Sequence, residues 1–258
     1  MKRKPALHVG CSGWNYNHWK GRFYPKESSP SAWFKEYSSV FSTVEINNTF
    51  YQLPDTYTFK KWRDQAPDNF IYAVKGNRFI THMKKLKDPK EPVKRFMSHA
   101  RLLKEHLGPV LFQLPPHWTV NSERIDRFTD VLPRGYQYVF EFRERSWYCE
   151  DVYKILASKR MSVCLHDMKG SESPDLSVGP ICYIRFHGSN ELYGGKYRIS
   201  TLRKRAKLIK EALDEGKDVY AYFNNDAEAN APRDALRFIK EVKGCHPGRV
   251  RRARSGTK

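Results

Sequence analysis

Polar side chains suited to proton transfer and anion binding follow short apolar runs along the chain. In the segment ICYIRFHGSN (181–190), residues typical of a buried strand lead into Arg185 and His187. Side chains alternate across a strand, so Tyr183, Arg185 and His187 are expected on one face. Six further runs end in the same way, and their polar residues are Glu45, Asn47, Lys75, Gln113, Glu141, Arg143, His166 and Asn224.

Three residues of this set could carry proton transfer. Paired carboxylates such as Glu45 and Glu141 can act as acid and base, as nucleophile and acid, or as metal ligands. His187 belongs to the residue type that titrates near neutral pH, which suits a general acid or base. We therefore predict Glu45, Glu141 and His187 as catalytic residues. The alternative is a buried ion network in which arginine or lysine neutralises each carboxylate and the histidine is only hydrogen-bonded.

Three cations of the set, Lys75, Arg143 and Arg185, predict an anion-binding site. An arginine fork matches the geometry of phosphate or carboxylate, and a lysine adds a movable charge. Amide groups and aromatic rings near the same strand ends could complete the site, since the rings could stack on a nucleobase or a sugar. The alternative for the aromatic residues is packing against the rim of the fold. The predicted phosphate- or substrate-binding residues are Lys75, Arg143, Arg185, Asn47, Gln113, Asn224, Trp14, Phe50, Tyr51 and Trp147.

A divalent metal ion is disfavoured by the cations expected beside its ligands, because lysine and arginine repel a metal. No H-E-x-x-H or comparable tight ligand spacing occurs in the sequence. No phosphate-binding loop, dinucleotide fingerprint or nucleophile elbow occurs either, so the sequence identifies no cofactor. The candidate metal ligands are Glu45, Glu141, Asp167, His187 and Asp226.

The elements that must position these residues alternate between short apolar runs and amphipathic segments. One helical pattern begins at Leu202 and ends before Gly216, a typical stop signal. Eight alternations predict parallel β/α units, and they indicate a single-domain (β/α)8 TIM barrel over residues 1–245. A doubly wound open sheet is the alternative. The predicted strands cover residues 7–12, 42–47, 70–75, 109–114, 138–143, 162–167, 182–188 and 219–224.

The charge of the chain predicts an anionic partner, such as DNA or RNA. A net charge of +19 raises the local concentration of polyanions and supports contacts to phosphates. Residues 246–258 are predicted to form a disordered basic tail, yet they hold only five of the 47 basic residues. The alternative is a basic protein whose affinity for nucleic acid is incidental.

Cysteine usage and hydropathy favour a cytoplasmic protein without a membrane partner. The five cysteines are scattered and form no C-x-x-C motif, which favours reduced thiols. No stretch approaches the ~18 apolar residues of a membrane helix. The N-terminus also lacks the apolar region of a signal peptide.

Seven ordered blocks of the sequence resemble signature blocks of the domain-of-unknown-function 72 (YecE-like) family. They are VGCSGWNYNHWKGRFYP, VEINNTFYQLP, KGNRFITHMKKL, LGPVLFQLPP, FEFRERSW, YIRFHG and YFNND, and they extend from about residue 7 to about residue 243. The resemblance implies a TIM barrel and no established reaction. The family fold is similar to metal-dependent endonucleases and sugar isomerases, which is a likeness of architecture alone. One departure is Glu144, where members often carry His.

These observations predict a barrel that binds a phosphate-bearing ligand at its carboxyl-terminal mouth, with nucleic acid as the leading ligand and phosphoester hydrolysis as the candidate reaction. One alternative is a glycoside-processing enzyme that uses Glu45 and Glu141. Direct salt bridges from both carboxylates to arginine would argue against that alternative. A second alternative is a non-catalytic nucleic-acid-associated protein that binds through its surface charge and residues 246–258.

Overall fold

The structure is a computed structural model that describes residues 3–188 and 193–244 of the 258-residue chain. Each predicted strand is confirmed, and the observed bounds differ from the predicted ones by at most two residues. The strands are β1 Leu7–Cys11, β2 Thr43–Ile46, β3 Ile71–Lys75, β4 Leu107–Gln113, β5 Tyr138–Glu141, β6 Ser162–His166, β7 Ile181–Phe186 and β8 Asp218–Phe223.

Helices separate these strands and cover the outside of the sheet. The α-helices are α1 Trp33–Val40, α2 Asn48–Tyr51, α3 Thr56–Gln65, α4 Lys90–Ala100, α5 Ser122–Asp130, α6 Glu150–Ser158, α7 Ile199–Asp214 and α8 Asn230–Gly244. Short helical turns occur at Asn17–Trp19, Phe79–Met83, Arg101–His106, Arg145–Trp147 and Ala227–Ala229. The eight predicted β/α units imply a helix after each strand, and α8 takes that place after β8. In α3 the helical pattern of the sequence is weak because the apolar stripe is sparse, and Phe59 and Trp62 are its buried residues.

The strands form one parallel sheet with the order β1-β8-β7-β6-β5-β4-β3-β2. This order never reverses, whereas a doubly wound open sheet has a switch point in its strand order. The predicted (β/α)8 TIM barrel is therefore confirmed.

The barrel closes between β1 and β2 through a side chain. No backbone ladder joins these two strands in the described part of the chain. Instead, the Tyr37 hydroxyl accepts a hydrogen bond from Cys11 N at 2.8 Å and donates one to Thr43 O at 2.9 Å. Gly10 permits the close approach, because a Cβ there would lie 2.2 Å from Thr43 O. A buried hydroxyl thus takes the place of backbone pairing at this seam.

The interior of the barrel contains an apolar layer beneath the polar strand ends. Its buried members are Ala73, Leu111, Val139, Cys164, Ile181, Tyr183, Tyr220 and Tyr222. Most of them lie two residues before a polar residue of the predicted set, as in Leu111 and Gln113 or Tyr183 and Arg185. Residues two apart on a strand share a face, so the polar residues form the next layer toward the carboxyl-terminal mouth.

Three sequence predictions concern membrane helices, the cysteines and the C-terminal tail. Among the described residues, no helix is both long and apolar enough to cross a membrane. Cys11, Cys164 and Cys182 are buried free thiols, and Cys149 is a half-buried one. The predicted tail, residues 246–258, and Cys245 lie outside the described residues.

Candidate functional site

A buried ion network centred on Arg185 occupies the barrel mouth. The Arg185 guanidinium donates to Glu45 Oε1 through Nε at 3.1 Å and through one terminal nitrogen at 2.9 Å. Its other terminal nitrogen donates to Glu141 Oε2 at 2.6 Å. Arg185 is 1% exposed and both glutamates are fully buried. Arg185 therefore bridges the two carboxylates, and all three of its nitrogens are engaged within the protein.

Glu45 is further held by two hydroxyl groups. Ser12 donates to Oε1 at 2.7 Å from the end of β1, and Tyr183 donates to Oε2 at 2.6 Å from the layer below. With the two bonds from Arg185, the carboxylate accepts four hydrogen bonds. Its lone pairs are thus directed to the protein and not to the open mouth.

Glu141 forms ion pairs with both arginines of the site. Arg143 contacts Oε1 in an ion pair, opposite the bond from Arg185 to Oε2. Burial acts to raise the pKa of Glu141, but the charges of Arg143 and Arg185 outweigh it and hold that pKa well below its usual range. A carboxylate held in this way stays ionised at neutral pH and is a poor proton donor.

The hydrogen bonds of His187 determine its tautomer. Its Nε2 lies 2.8 Å from a terminal nitrogen of Arg143 and 3.1 Å from one of Arg185. A guanidinium can only donate, so Nε2 is an acceptor and the proton of the neutral ring is on Nδ1. Burial, followed by the charges of Arg185 and Arg143, lowers the pKa of His187 well below its usual value. For the predicted acid–base role, the two arginines would have to release Nε2.

Asp167 supports His187 from the end of β6. Its Oδ1 accepts a hydrogen bond from His187 N at 2.7 Å, and its Oδ2 accepts one from the Tyr197 hydroxyl at 2.6 Å. His187 Nδ1 lies 3.8 Å from Oδ1 and has no hydrogen-bond partner among the described residues. Burial is the main cause that raises the pKa of Asp167.

His166 is fixed as a neutral ring beside this network. Its Nε2 lies 2.8 Å from Phe142 O, which can only accept, and Met168 N donates to its Nδ1 at 3.3 Å. The proton is therefore on Nε2. Burial lowers the pKa of His166 to about 4, in keeping with a positioning role for this ring.

Lys75 is a cation of the mouth that lacks a carboxylate partner in the described part of the chain. It is 8% exposed, and no carboxylate oxygen of the described residues lies within 4 Å of its Nζ. Nζ lies instead 4.3 Å from the centre of the Phe50 ring. Burial, and next the charge of Arg185, lowers the pKa of Lys75 to about 7. Lys75 therefore changes its charge close to neutral pH.

Arg143 carries a second group that lacks a partner. Its terminal nitrogen contacts Glu141 and His187, whereas its buried Nε has no hydrogen-bond partner in the described part of the chain. Arg143 is 9% exposed and follows the end of β5, so it lies nearer to solvent than Arg185. An unpaired guanidinium N–H in a buried position favours an acceptor from outside the protein.

The predicted amide residues lie around this network with different exposure. Asn224 is nearly buried, and Gln113 is half-buried at the position that pairs in register with Glu141. Asn47 is half-buried, and its buried Oδ1 lacks a hydrogen-bond partner among the residues described. Asp226 lies on the loop after β8, where its carboxylate is 3.7 Å from His18 Nε2.

The candidate metal ligands do not form a metal site in this structure. Within residues 3–188 and 193–244, no group of three or more His, Cys, Asp or Glu side chains is arranged to hold a metal ion. Glu45 and Glu141 are occupied by Arg185, and Asp167 is bonded to His187 and Tyr197. The arrangement of these candidate ligands thus suits a network of ion pairs better than a metal-binding site.

The predicted aromatic residues differ in whether a ligand could reach them. Trp147 is fully buried, stacks on Phe142 with a centroid distance of 5.4 Å, and donates to Trp118 O at 2.5 Å. Its ring is therefore part of the loop packing and is not open to a ligand. Tyr51 is 71% exposed at the rim.

A cavity of about 290 Å³ lies next to the polar network. Trp14 forms one of its walls and packs edge-on against Trp62, with ring centroids 6.1 Å apart. Ser12 connects the cavity to the network, because it lines the cavity and donates to Glu45. The remaining lining residues are Gly13, Asn15, Tyr16, Ile46, Asn47 and Asn48.

Sequence reasoning missed several residues that hold the site. Tyr183 was expected on the face of Arg185, but alternation alone did not indicate its bond to Glu45. Ser12 gave no signal, and Tyr197 stood out only as a loop aromatic, since the partners of both residues, Glu45 and Asp167, lie far away in the sequence. Glu144, the departure from the family blocks, caps the turn Arg145–Trp147 by accepting from Ser146 N at 3.0 Å.

Comparisons with known proteins agree with this architecture. A sequence model of the family described as "Protein of unknown function DUF72" matches residues 8–254, which extends beyond residue 243, where the block resemblance ends. The protein YunF of Bacillus subtilis (strain 168), described as a UPF0759 protein, is 24% identical over an alignment length of 280, and the alignment covers 93% of this chain and 98% of YunF. The UPF0759 protein YecE of Escherichia coli O157:H7 is 25% identical over 234 residues, or 90% of this chain and 74% of YecE.

Solved structures show the same fold. A DUF72 family protein of Thermotoga maritima MSB8 superposes with a TM-score of 0.84 at 29% identity, over 92% of this chain and 99% of that one. A DUF72 family protein of Enterococcus faecalis V583 superposes with a TM-score of 0.75 at 19% identity, over 92% and 95% of the two chains.

Proposed function

The chain belongs to the family of proteins of unknown function DUF72, and we propose that its barrel mouth binds a phosphate-bearing ligand, with nucleic acid as the leading form of that ligand. The observation that carries this proposal is the excess of unpartnered donors in the mouth. Lys75 Nζ has no carboxylate partner, and Arg143 Nε has no acceptor among the described residues. An anion with several acceptor oxygens would satisfy both groups.

The charge balance of the mouth supports an anionic ligand. Arg143 and Arg185 are paired with Glu141 and Glu45, and Asp167 is bonded to His187 and Tyr197. Protonated Lys75 therefore has no directly paired carboxylate among the described residues. His187 adds a neutral donor, because its Nδ1–H is buried and lacks a hydrogen-bond partner within the described residues. A phosphate group offers acceptor oxygens and negative charge together, which suits this set of donors.

The neighbouring cavity provides room for the remainder of the ligand. Its lining includes the aromatic residues Trp14 and Tyr16 and the amide residue Asn47. Aromatic and amide groups in this combination suit a ring that carries hydrogen-bonding groups, such as a nucleobase. The net charge of +19 would further favour a polymer of phosphates over a single one.

The ion pairs of Glu45 and Glu141 favour a binding function over glycoside hydrolysis. A glycosidase needs one free acid and one free nucleophile or base, with space for the sugar between them. Here Arg185 lies between Glu45 and Glu141 and forms ion pairs with both. We therefore assign the mouth a binding function and treat phosphoester hydrolysis as a reaction to be sought once a ligand is identified.

Titration with inorganic phosphate tests the proposal directly. Isothermal titration calorimetry at pH 6 should detect binding by the wild type, and Lys75→Met should weaken it by roughly ten-fold or more, since a hydrogen bond to a charged group contributes about 1.5–3 kcal/mol. Lys75→Arg is the matched control, because it keeps a cation at this position. Equal phosphate affinity of wild type and Lys75→Met at pH 6 would refute the proposal.

A labelled oligonucleotide distinguishes binding at the barrel mouth from binding at the basic surface. Fluorescence anisotropy of a single-stranded DNA should show binding that weakens with salt, and inorganic phosphate should compete with it if the mouth is used. Deletion of residues 246–258 tests the alternative of non-catalytic association, which predicts that binding disappears with the tail. Binding that survives the deletion and is lost in Lys75→Met would favour the mouth.

A further inference from the structure

Lys75 differs from the other lysines of the described chain in its burial. It is the lysine of residues 3–188 and 193–244 that falls into the buried class, with 8% of its surface exposed. It ends β3, so its amine lies in the polar layer at the carboxyl-terminal mouth, where barrel enzymes carry their reactive groups. The backbone beneath it is also fixed, since Thr49 donates to Lys75 O at 2.6 Å.

The surroundings of the amine favour its neutral form. Both nearby glutamates are in ion pairs with arginine, so neither neutralises Lys75. The Phe50 ring at 4.3 Å gives only a cation–π contact, which contributes about 0.5–2 kcal/mol and does not replace the lost hydration of a buried ammonium ion. A neutral amine carries a free electron pair and is a nucleophile.

We propose that Lys75 is a nucleophilic lysine that forms an imine with an aldehyde or ketone group of the ligand bound at the mouth. The inference rests on the phosphate site proposed above but not on nucleic acid as its occupant, since an intact nucleic acid carries no free aldehyde or ketone. Arg143 Nε and His187 Nδ1, the other mouth donors without a partner among the described residues, would hold the phosphate and leave Lys75 for the carbonyl group. The substrate class is thus a phosphorylated carbonyl compound.

The covalent step needs no co-reactant. The electron pair of Nζ forms a bond to the carbonyl carbon, and the electrons of the carbonyl π bond move to the oxygen. Both protons of the amine are transferred to that oxygen, which leaves as water, and a carbon–nitrogen double bond remains. If the imine then takes up a proton, the positive charge returns to Nζ beside the Phe50 ring.

The charged and titratable groups around Lys75 agree with this role. Burial is the largest cause of its lowered pKa of about 7; Arg185 and Arg143 add to the lowering, whereas Glu141 and Glu45 oppose it. His82 follows on the next turn, and burial together with Lys75 lowers its pKa to about 4, so it stays neutral. At neutral pH a large share of Lys75 is therefore unprotonated, in contrast to a hydrated lysine.

Reductive trapping tests the proposal. The wild-type protein is incubated at pH 7.5 with glyceraldehyde 3-phosphate or with glyceraldehyde, reduced with sodium borohydride, digested and mapped by mass spectrometry. We expect Lys75 to be labelled at least ten-fold faster than the exposed Lys87, and faster by the phosphorylated aldehyde than by the plain one. Lys75→Arg keeps the charge and should remove the fast label.

The outcomes distinguish the imine from the phosphate site. Labelling of Lys75 that is no faster than labelling of Lys87, with both aldehydes, would overturn the nucleophilic role even if phosphate binds. Fast labelling at equal rates by both aldehydes would overturn the phosphorylated substrate class while leaving the nucleophile, and the calorimetric titration decides the phosphate site separately. Inorganic phosphate should slow labelling by the phosphorylated aldehyde and supports both inferences if it does.

Discussion

Replacement of Lys75 by methionine should stabilise the protein at acidic and neutral pH. The fold buries this amine without a carboxylate partner among the described residues, and burial followed by Arg185 lowers its pKa to about 7. Methionine is unbranched and adapts to irregular spaces, so it can occupy the position beside Phe50. Lys75→Met therefore removes an unfavourable buried charge while it keeps most of the packing.

The size of the effect follows from the pKa of Lys75 in the two states. In the unfolded chain the amine has a pKa of about 10.4, and each unit of difference corresponds to about 1.4 kcal/mol. Below pH 7 both states carry the proton, so the charge lowers the stability of the wild type by about 5 kcal/mol. Above pH 7 the native state loses its proton first, and wild-type stability rises until about pH 10 because the unfolded state binds more protons. The advantage of the variant should thus shrink by about 3 kcal/mol between pH 6 and pH 9.

Urea unfolding of both proteins at pH 6, 7, 8 and 9 measures this difference. The buffers must contain no phosphate or sulfate, since a bound anion would neutralise Lys75. Lys87→Met is the matched control, because Lys87 is exposed on the loop after β3 and its replacement removes no buried amine. A Lys75→Met effect of equal size at pH 6 and pH 9, or a loss of stability at pH 6, would contradict a buried, uncompensated Lys75 charge.

Three further substitutions test the framework around the site. Tyr37→Phe should lower the free energy of unfolding by about 1–3 kcal/mol in urea titrations, because it leaves buried backbone groups of β1 and β2 without a partner; an unchanged value would mean that the seam pairs in another way. Arg185→Met should cost about 3–5 kcal/mol or more, since it strands two buried carboxylates, and a melting temperature equal to that of the wild type would contradict the network. For His166, whose pKa burial lowers to about 4, the unfolded chain takes up a proton between pH 6.5 and pH 4 that the native state rejects. Wild-type stability should therefore fall by about 3 kcal/mol over that range through this residue, and His166→Asn should lack that part of the decline.

The sequence predicted the barrel through local patterns. Each strand is a short apolar run whose alternation assigns its residues to two faces, and that periodicity is a property of neighbouring residues. The same alternation assigned Arg185 to the inner face and indicated that polar groups of several strands meet at one end. It gave only a weak signal for α3, whose two buried residues, Phe59 and Trp62, lie on a helix of mainly polar residues.

The chemistry of the mouth depended on distances between residues far apart in the sequence. Arg185 lies 140 residues from Glu45, and their ion pair exists because the strand order places β7 opposite β2 within one barrel. Likewise, spacing alone gave Trp147 and Trp14 the same stacking role, whereas packing buries the first and leaves the second beside a cavity.

Local periodicity and chain length are enough to predict the fold and the layer in which the polar residues lie. Which cations are neutralised depends on contacts that form only in the folded barrel. It paired Arg185 with both glutamates and left Lys75 beside an aromatic ring with no described carboxylate near its amine. The physical reason is that charge compensation acts over a few ångströms in space, and no pattern along the chain encodes those separations.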